Sequence, residues 1–576
     1  MRFYHRLTLA DPHAHLVEVE TTVRGDDLPN AIELAMPVWT PGSYLVREYA
    51  RHVEGLRGEG CTARKIRKNA WRVERGSASD FVVRYRVYAN DLTVRTNHVD
   101  ATHIYVNGAA TFLYVPGHEG EPVSVEIAAP EGWKVATALR TDDGRTYHAA
   151  SYDELVDSPI EVGTHETATF TAAGKAHTYA IWPPHAVSQA NVKRLVEATK
   201  TIVETEAGLF GGALPHDGYL FLLHLSSRGR GGLEHLASST LLAPPTVFDG
   251  REGWLDLLSL VAHEYFHLWN VKRIRPEGLT PYRYEEENYT RLLWWFEGAT
   301  SYYDWRVLRL AKLCTVEEYL EHLAGEIAHL EQTPGRLVHP LEEASFDAWI
   351  KLYRPDENSG NSTISYYRKG ELVCALLDLE IRARTGGKST LDHVLRHLWD
   401  AYGATGTPVP EDRMQAIFED VTGTALGDLW DAWIRGAHEV DAAATFARAG
   451  LAIERTTKSD VPSLGARLRG EGARAFVSGL VRGAAGMRAG LDVGDELLAV
   501  GDRRVDHGNL DAAFAGHKGG DTVTLLVSRE GRVRRLECQL DPPRQDRVRL
   551  VPKKDAAAEA RSLCEAWLGE RPSAWT

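Results

Sequence analysis

Cysteine is scarce in this chain: five residues in 576, at positions 61, 314, 374, 538 and 564, odd in number and widely spaced. That excludes a disulfide framework and a Cys-x-x-Cys metal or redox motif, and the thiols read as reduced. Any metal bound here must take histidine and carboxylate ligands. No apolar stretch approaches the ~20 residues of a membrane-spanning helix. The N-terminal MRFYHRLTLADPHAHLVEVE has basic residues but neither a continuous apolar run nor a small-residue cleavage site. No signal peptide is read there, and a cytoplasmic location is expected. Positive charge is not in excess either. The formal net charge of −14 argues against nucleic acid or an anionic membrane as the main partner. Repeat arrays and low-complexity tracts are absent.

What is present is an ordinary globular composition, 43% hydrophobic and 25% charged. The length exceeds what one hydrophobic core of about 300 residues sustains, so several domains are expected. Residues 1–172 alternate apolar and polar positions, as in Val17, Val19, Thr21, Val23 and in Val83, Tyr85, Val87, between Gly, Pro and Asp turns. This is the pattern of a sheet-on-sheet β domain. From 173 to 440 a short β part (Tyr219–Leu225) gives way to helical patterns, an α+β layout with a mostly helical second half. Helices are read over 188–208, Arg251–Lys272, Leu293–Leu310, Val316–Leu330, Ser365–Thr385 and Leu391–Tyr402. Residues 441–460 read as a linker, 461–545 as a compact unit rich in Gly and Val, and 546–576 as a charged tail.

The chemistry concentrates in His263-Glu264-Tyr265-Phe266-His267, inside the apolar helix that starts at Arg251. Residues four apart share a helical face, so both imidazoles can grip one ion, and Glu264 beside them can take a proton from water. A chance match with two hydrogen-bonded core histidines is the bland alternative. A third ligand comes from Glu285, Glu286 and Glu287 or from Glu297. Spacing favours the cluster, eighteen to twenty residues after His267; context favours Glu297, in the apolar WWFEGATSYYD. The cluster lies in the polar PYRYEEENYT. Asp304, seven residues past Glu297, shares its helical face and is a candidate to orient a ligand histidine, or a plain surface carboxylate. Gly231-Gly232-Leu233-Glu234-His235 follows an apolar strand. Adjacent glycines on an edge strand let a peptide lie alongside, and Glu234 can hold an α-ammonium. Taken alone, that string reads as a glycine turn. Tyr366-Tyr367-Arg368-Lys369-Gly370 offers a phenol for an oxyanion, or a core tyrosine pair.

Together these strings resemble the gluzincin aminopeptidases, the group containing alanyl aminopeptidase and leukotriene A hydrolase. The resemblance implies a thermolysin-like catalytic domain and one Zn²⁺ per chain on His263, His267 and Glu297. It further implies Glu264 and Tyr367 as catalytic residues, with Gly231, Gly232 and Glu234 binding the substrate amine. The register matches Tyr367, three residues before Gly370, and excludes Tyr366. HEYFHLWNVKRIRP and Pro37-Val38-Trp39-Thr40-Pro41-Gly42-Ser43-Tyr44, with Arg47 and Tyr49, are more similar to the glycyl aminopeptidase family. That family carries a C-terminal PDZ domain, which VRGAAGMRAGLDVGDELLAV resembles, with Ser463-Leu464-Gly465-Ala466 as its carboxylate loop. Peptides with a free N-terminus and small first residues (Gly, Ala) are the implied substrates, and a peptide is a candidate PDZ ligand. A zinc endopeptidase, an epoxide hydrolase and a PDZ-bearing binding scaffold stay open as alternatives. The Trp39–Tyr44 segment reads as a buried turn without an assigned role.

Overall fold

The computed structural model describes residues 1–76 and 78–575. The N-terminal strands form three sheets, of seven, four and three strands. In the seven-stranded sheet Arg2–Asp11 pairs in parallel with Val123–Ala128 and antiparallel with Leu16–Arg24. The alternating residues Val17, Val19 and Val23 point inward with Val83, Tyr85 and Val87, all essentially inaccessible, because a period-two pattern puts one set of side chains on one face. Glu166–Ala172, grouped with this domain by pattern, instead pairs with Lys175–Trp182 in a separate five-stranded sheet.

That second sheet begins the catalytic part. Helix α1 (Gln189–Leu209) follows its second strand, capped by Ser188, whose side chain accepts from Asn191 N–H. Strands β1 (Gly218–Leu225) and β3 (Ser238–Ala243) run parallel, and β2 (Gly231–Glu234) pairs antiparallel with β3 at the sheet's edge. Helix α2 spans Arg251–Phe266, shorter than its apolar pattern suggests, with His267 as C-cap. The chain turns back after His267, with Lys272 N–H on His267 O and Ile274 N–H on Trp269 O, so apolar periodicity continues where the helix does not.

The expected helix over Leu293–Leu310 is broken into α3 (Leu293–Phe296) and α4 (Gly298–Leu310), with Glu297 at the C-cap of the first. Helix α5 (Val316–Glu331) starts with a complete capping box between Thr315 and Glu318. Helix α6 (Tyr366–Thr385) is capped by Ser365 and ends on Gly386 in the left-handed region, φ 61°.

The region read as a linker is structured: its alanine run forms a helix, Ala442–Arg448, capped by Asp441. Leu451–Thr456 then pairs antiparallel with Arg547–Pro552, and the tail contains a helix, Ala558–Leu568. The C-terminal sheet contains the hairpin of β4 (Ala466–Glu471) and β5 (Arg474–Leu480), with β4 at one edge. Its own core includes Val477, Leu497, Leu525 and Val527. Among the described residues no helix is long and apolar enough to cross a membrane.

Candidate metal centre and active site

Helix α2 and its C-cap present the two imidazoles, and each is held through Nδ1. His263 Nδ1 lies 3.0 Å from Asp304 Oδ2, and His267 Nδ1 lies 2.7 Å from the Asn270 carbonyl oxygen. Both acceptors require a proton on Nδ1, which leaves Nε2 as the metal-binding nitrogen of each ring. The second contact depends on α2 ending at Phe266, because only the turn after His267 brings the Asn270 carbonyl back. Asp304 sits in α4, the helix that begins directly after Glu297. Donor atoms of His263, His267 and Glu297 lie within 4.8 Å of one another. Two neutral imidazoles and one carboxylate, the Glu297 side chain only 2% accessible, form the donor set a catalytic zinc takes, so these residues fit the ion.

Glu285 and Glu286 serve elsewhere. Glu285 pairs with Arg67 at 3.1 Å and Glu286 with Arg283 at 2.8 Å. A residue not anticipated from sequence stands behind the metal donors: Glu206 of α1, fully buried. Burial, with Asp304 nearby, pushes its carboxyl well above the usual carboxylate range, and His263 opposes this in part. Its only sequence signal was a glutamate on the apolar face of α1.

Edge strand β2 lies against the Glu264 side chain. A methyl placed on Gly232 would fall 2.0 Å from Glu264 Oε1 and 2.1 Å from its carboxyl carbon. Only glycine lets the strand pass so close to that carboxylate. Glu234, Glu264 and His267 also offer donor atoms within 4.8 Å of one another, so Glu234 is brought to the same place. The Trp39–Tyr44 segment meets it there: a methyl on Gly42 would sit 2.6 Å from both Glu234 carboxylate oxygens. Gly42 has φ +85°, a backbone state that side chains resist. Arg95 Nη2 donates to Gly232 O at 3.3 Å, and Tyr49 Oη donates to Arg95 O at 2.8 Å. The loop after β2 is tied down by buried Asp157, which accepts from Leu236 N–H at 2.7 Å and from Lys272 Nζ at 2.5 Å. Burial raises the Asp157 carboxyl, but Lys272 and His235 outweigh it and hold it at about 2.

The other candidate catalytic residue, Tyr367, starts helix α6. Gly370 and Gly298 let α6 cross close to the α3–α4 junction: a methyl on Gly298 would lie 2.6 Å from Gly370 Cα. This explains the glycine three residues after Tyr367 and brings the phenol near Glu297. Burial, with the Glu297 charge, pushes the phenol well above its usual range, so it keeps its proton. Tyr367 stacks on Tyr366, and its Oη lies 3.0 Å from Tyr353 Oη, a partner with no recognisable signal in the sequence.

Family models match three stretches of the chain. Residues 5–164 match the peptidase M61 N-terminal domain, residues 256–373 the M61 glycyl aminopeptidase, and residues 455–528 a PDZ domain. The chain is similar to the M61 glycyl aminopeptidases in its N-terminal and catalytic domains. It is therefore an enzyme of the zinc aminopeptidase class. Among solved structures it is similar to an aminopeptidase N family protein from Idiomarina loihiensis, with 28% identity and a TM-score of 0.91, covering 98% of this chain and 100% of that one. An M1 zinc metallopeptidase from Deinococcus radiodurans aligns at 16% identity and TM-score 0.45, over 76% of this chain and 94% of that one. Yeast LTA4 hydrolase aligns at 13% and 0.46, over 77% and 68%. No relative among the curated proteins matches. The M61 catalytic match begins inside α2 and ends inside α6, so it contains His263, Glu264, His267, Glu297 and Tyr367. In the PDZ domain, Ser463 N–H donates to Asp541 O and Gly465 N–H to Ser463 Oγ. Those two backbone donors of the carboxylate loop are thus engaged within the chain.

Proposed function

We propose that this chain removes N-terminal residues, preferentially Gly and Ala, from peptides, using one Zn²⁺ per chain held by His263, His267 and Glu297. The observation that carries the reading is the pair of α2 imidazoles, each fixed through Nδ1, grouped with the Glu297 carboxylate. When bound, zinc supplies Lewis acidity, polarising the scissile carbonyl and acidifying water. Glu264 takes the proton of the attacking water and passes it to the departing amine. Tyr367, kept protonated, donates to the developing oxyanion. Gly231 and Gly232 let the substrate backbone lie along β2, and Glu234 holds the free α-ammonium, which makes the enzyme an exopeptidase.

Gly42 closes around Glu234 and supports the preference for small first residues, since bulk near the amine anchor meets that turn. The five cysteines form no disulfide among the described residues, which is compatible with the reducing cytoplasm. The test is hydrolysis of glycyl- and alanyl-p-nitroanilide against leucyl-p-nitroanilide and an N-acetylated peptide, before and after chelation and zinc restoration. Zinc-dependent turnover confined to free, small N-termini is expected. Cleavage of the acetylated peptide would replace the exopeptidase with an endopeptidase.

A further inference from the structure

The start of α6 has a second side. Lys369, two residues past Tyr367, is 1% accessible, and its Nζ has no hydrogen-bond partner among the described residues. It lines a cleft of about 410 Å³ bounded by the ends of α5 and α6 and by the PDZ segment that includes Leu480 and Val481. An ammonium without a counter-ion is costly to bury, by several kcal/mol. Burial accordingly pushes Lys369 down to about 8, with Glu439 offsetting part of the effect. Glu439 is itself engaged by Arg336 at 2.9 Å.

The other charged residues of the lining are cationic apart from Glu357. Arg467 and Arg544 reach the cleft from the PDZ side, and among the described residues the side chain of each is hydrogen-bonded only to an uncharged acceptor: the Glu357 carbonyl at 3.4 Å and Ser463 Oγ at 2.9 Å. Lys351 and Arg368 line it as well, though both are salt-bridged, to Asp347 and Glu326. The one carboxylate-bearing residue of the lining is Glu357. The walls are pinned by Asn361, whose Nδ2 donates to Leu480 O and whose Oδ1 accepts from Arg482 N–H, both at 2.7 Å. Ser365, the N-cap of α6, also faces the cleft, so the helix's positive end adds to the field.

We propose that this cleft is a binding site for a small oxyanion, a phosphate or a dicarboxylate, with Lys369 Nζ as its buried contact and Arg467 and Arg544 closing over it. The occupied site joins the PDZ domain to the helix that carries Tyr367. The site itself does not depend on the metal chemistry proposed above.

The experiment is calorimetric titration of the full-length zinc-loaded protein with inorganic phosphate and, separately, succinate, at constant ionic strength. Saturable one-site binding of either anion supports the proposal, and the preferred one identifies the source. Lys369→Met is expected to weaken binding by about tenfold or more, the weight of a charge-assisted hydrogen bond, and Arg544→Gln several-fold. Arg544 is exposed, so its variant carries the test if Lys369→Met does not fold. Glu264→Gln is expected to bind the anion as the wild type does, whatever becomes of its turnover. Absence of saturable binding, or binding untouched by both cleft variants, overturns the proposal.

Discussion

Replacing Gly232 by alanine tests whether β2 and Glu264 share the space the structure gives them. The added methyl would stand 2.0 Å from Glu264 Oε1 and 2.4 Å from its Cγ. Ordinary contact needs about 3.5 Å, so more than one ångström must be recovered by moving the carboxylate or the strand. The Gly232 backbone is not in the left-handed region, so backbone strain adds nothing. Overpacking of this kind costs about 1–3 kcal/mol of stability, while ~1 Å of misplacement in a catalytic group costs about 100-fold in rate, or ~2.7 kcal/mol of barrier. The expected result is kcat for glycyl-p-nitroanilide lowered about 100-fold with zinc content unchanged, since neither His263 nor His267 is touched. Steady-state kinetics, metal analysis and a melting curve on one preparation decide it. Wild-type kcat in a folded, zinc-loaded Gly232→Ala would refute the contact and the role of Glu264 as proton carrier.

Glu264→Gln should retain zinc and lose at least about 100-fold in kcat. Asp304→Ala should weaken zinc binding about 10- to 100-fold in competition with a chelator, because His263 loses the acceptor that orients it. Gly42→Ala, strained at φ +85° and pressed against Glu234, should raise KM for free amino-terminal substrates more than it lowers kcat. Asp157 sits at about 2 in the folded protein, below its ordinary 3.8. Its ionised form therefore contributes stability that is complete above about pH 4 and lost as pH falls toward 2. The melting temperature of Asp157→Asn should lie below that of the wild type at pH 6, and the gap should narrow between pH 4 and 2.

Local features of the site were legible in the sequence and long-range ones were not. His263 and His267 are four apart on an apolar helix, and that spacing alone puts them on one face. Context and a seven-residue step point to Glu297 and Asp304, although the helix expected to carry both is broken at Glu297. The break has no Pro or Gly before it to mark it; only Gly298 follows, and its need for space comes from Gly370 in a distant helix. In the same way Gly42 owes its place to Glu234, and Tyr367 meets Tyr353, contacts that no periodicity encodes. At the fold level, period-two and helical patterns located the N-terminal sheets and the main helices. The hairpin from Glu166 to Trp182 and the strand at Leu451–Thr456 took their places from partners, Gly218–Leu225 and Arg547–Pro552, that short-range pattern cannot identify.

The most direct test of the central claim is an anomalous-scattering map from crystals of the zinc-loaded protein, collected on both sides of the zinc edge. One peak per chain, bounded by the Nε2 atoms of His263 and His267 and by the Glu297 carboxylate, is the expected result. A peak ligated by any of Glu285, Glu286 or Glu287, or no peak at the two histidines, would contradict the account.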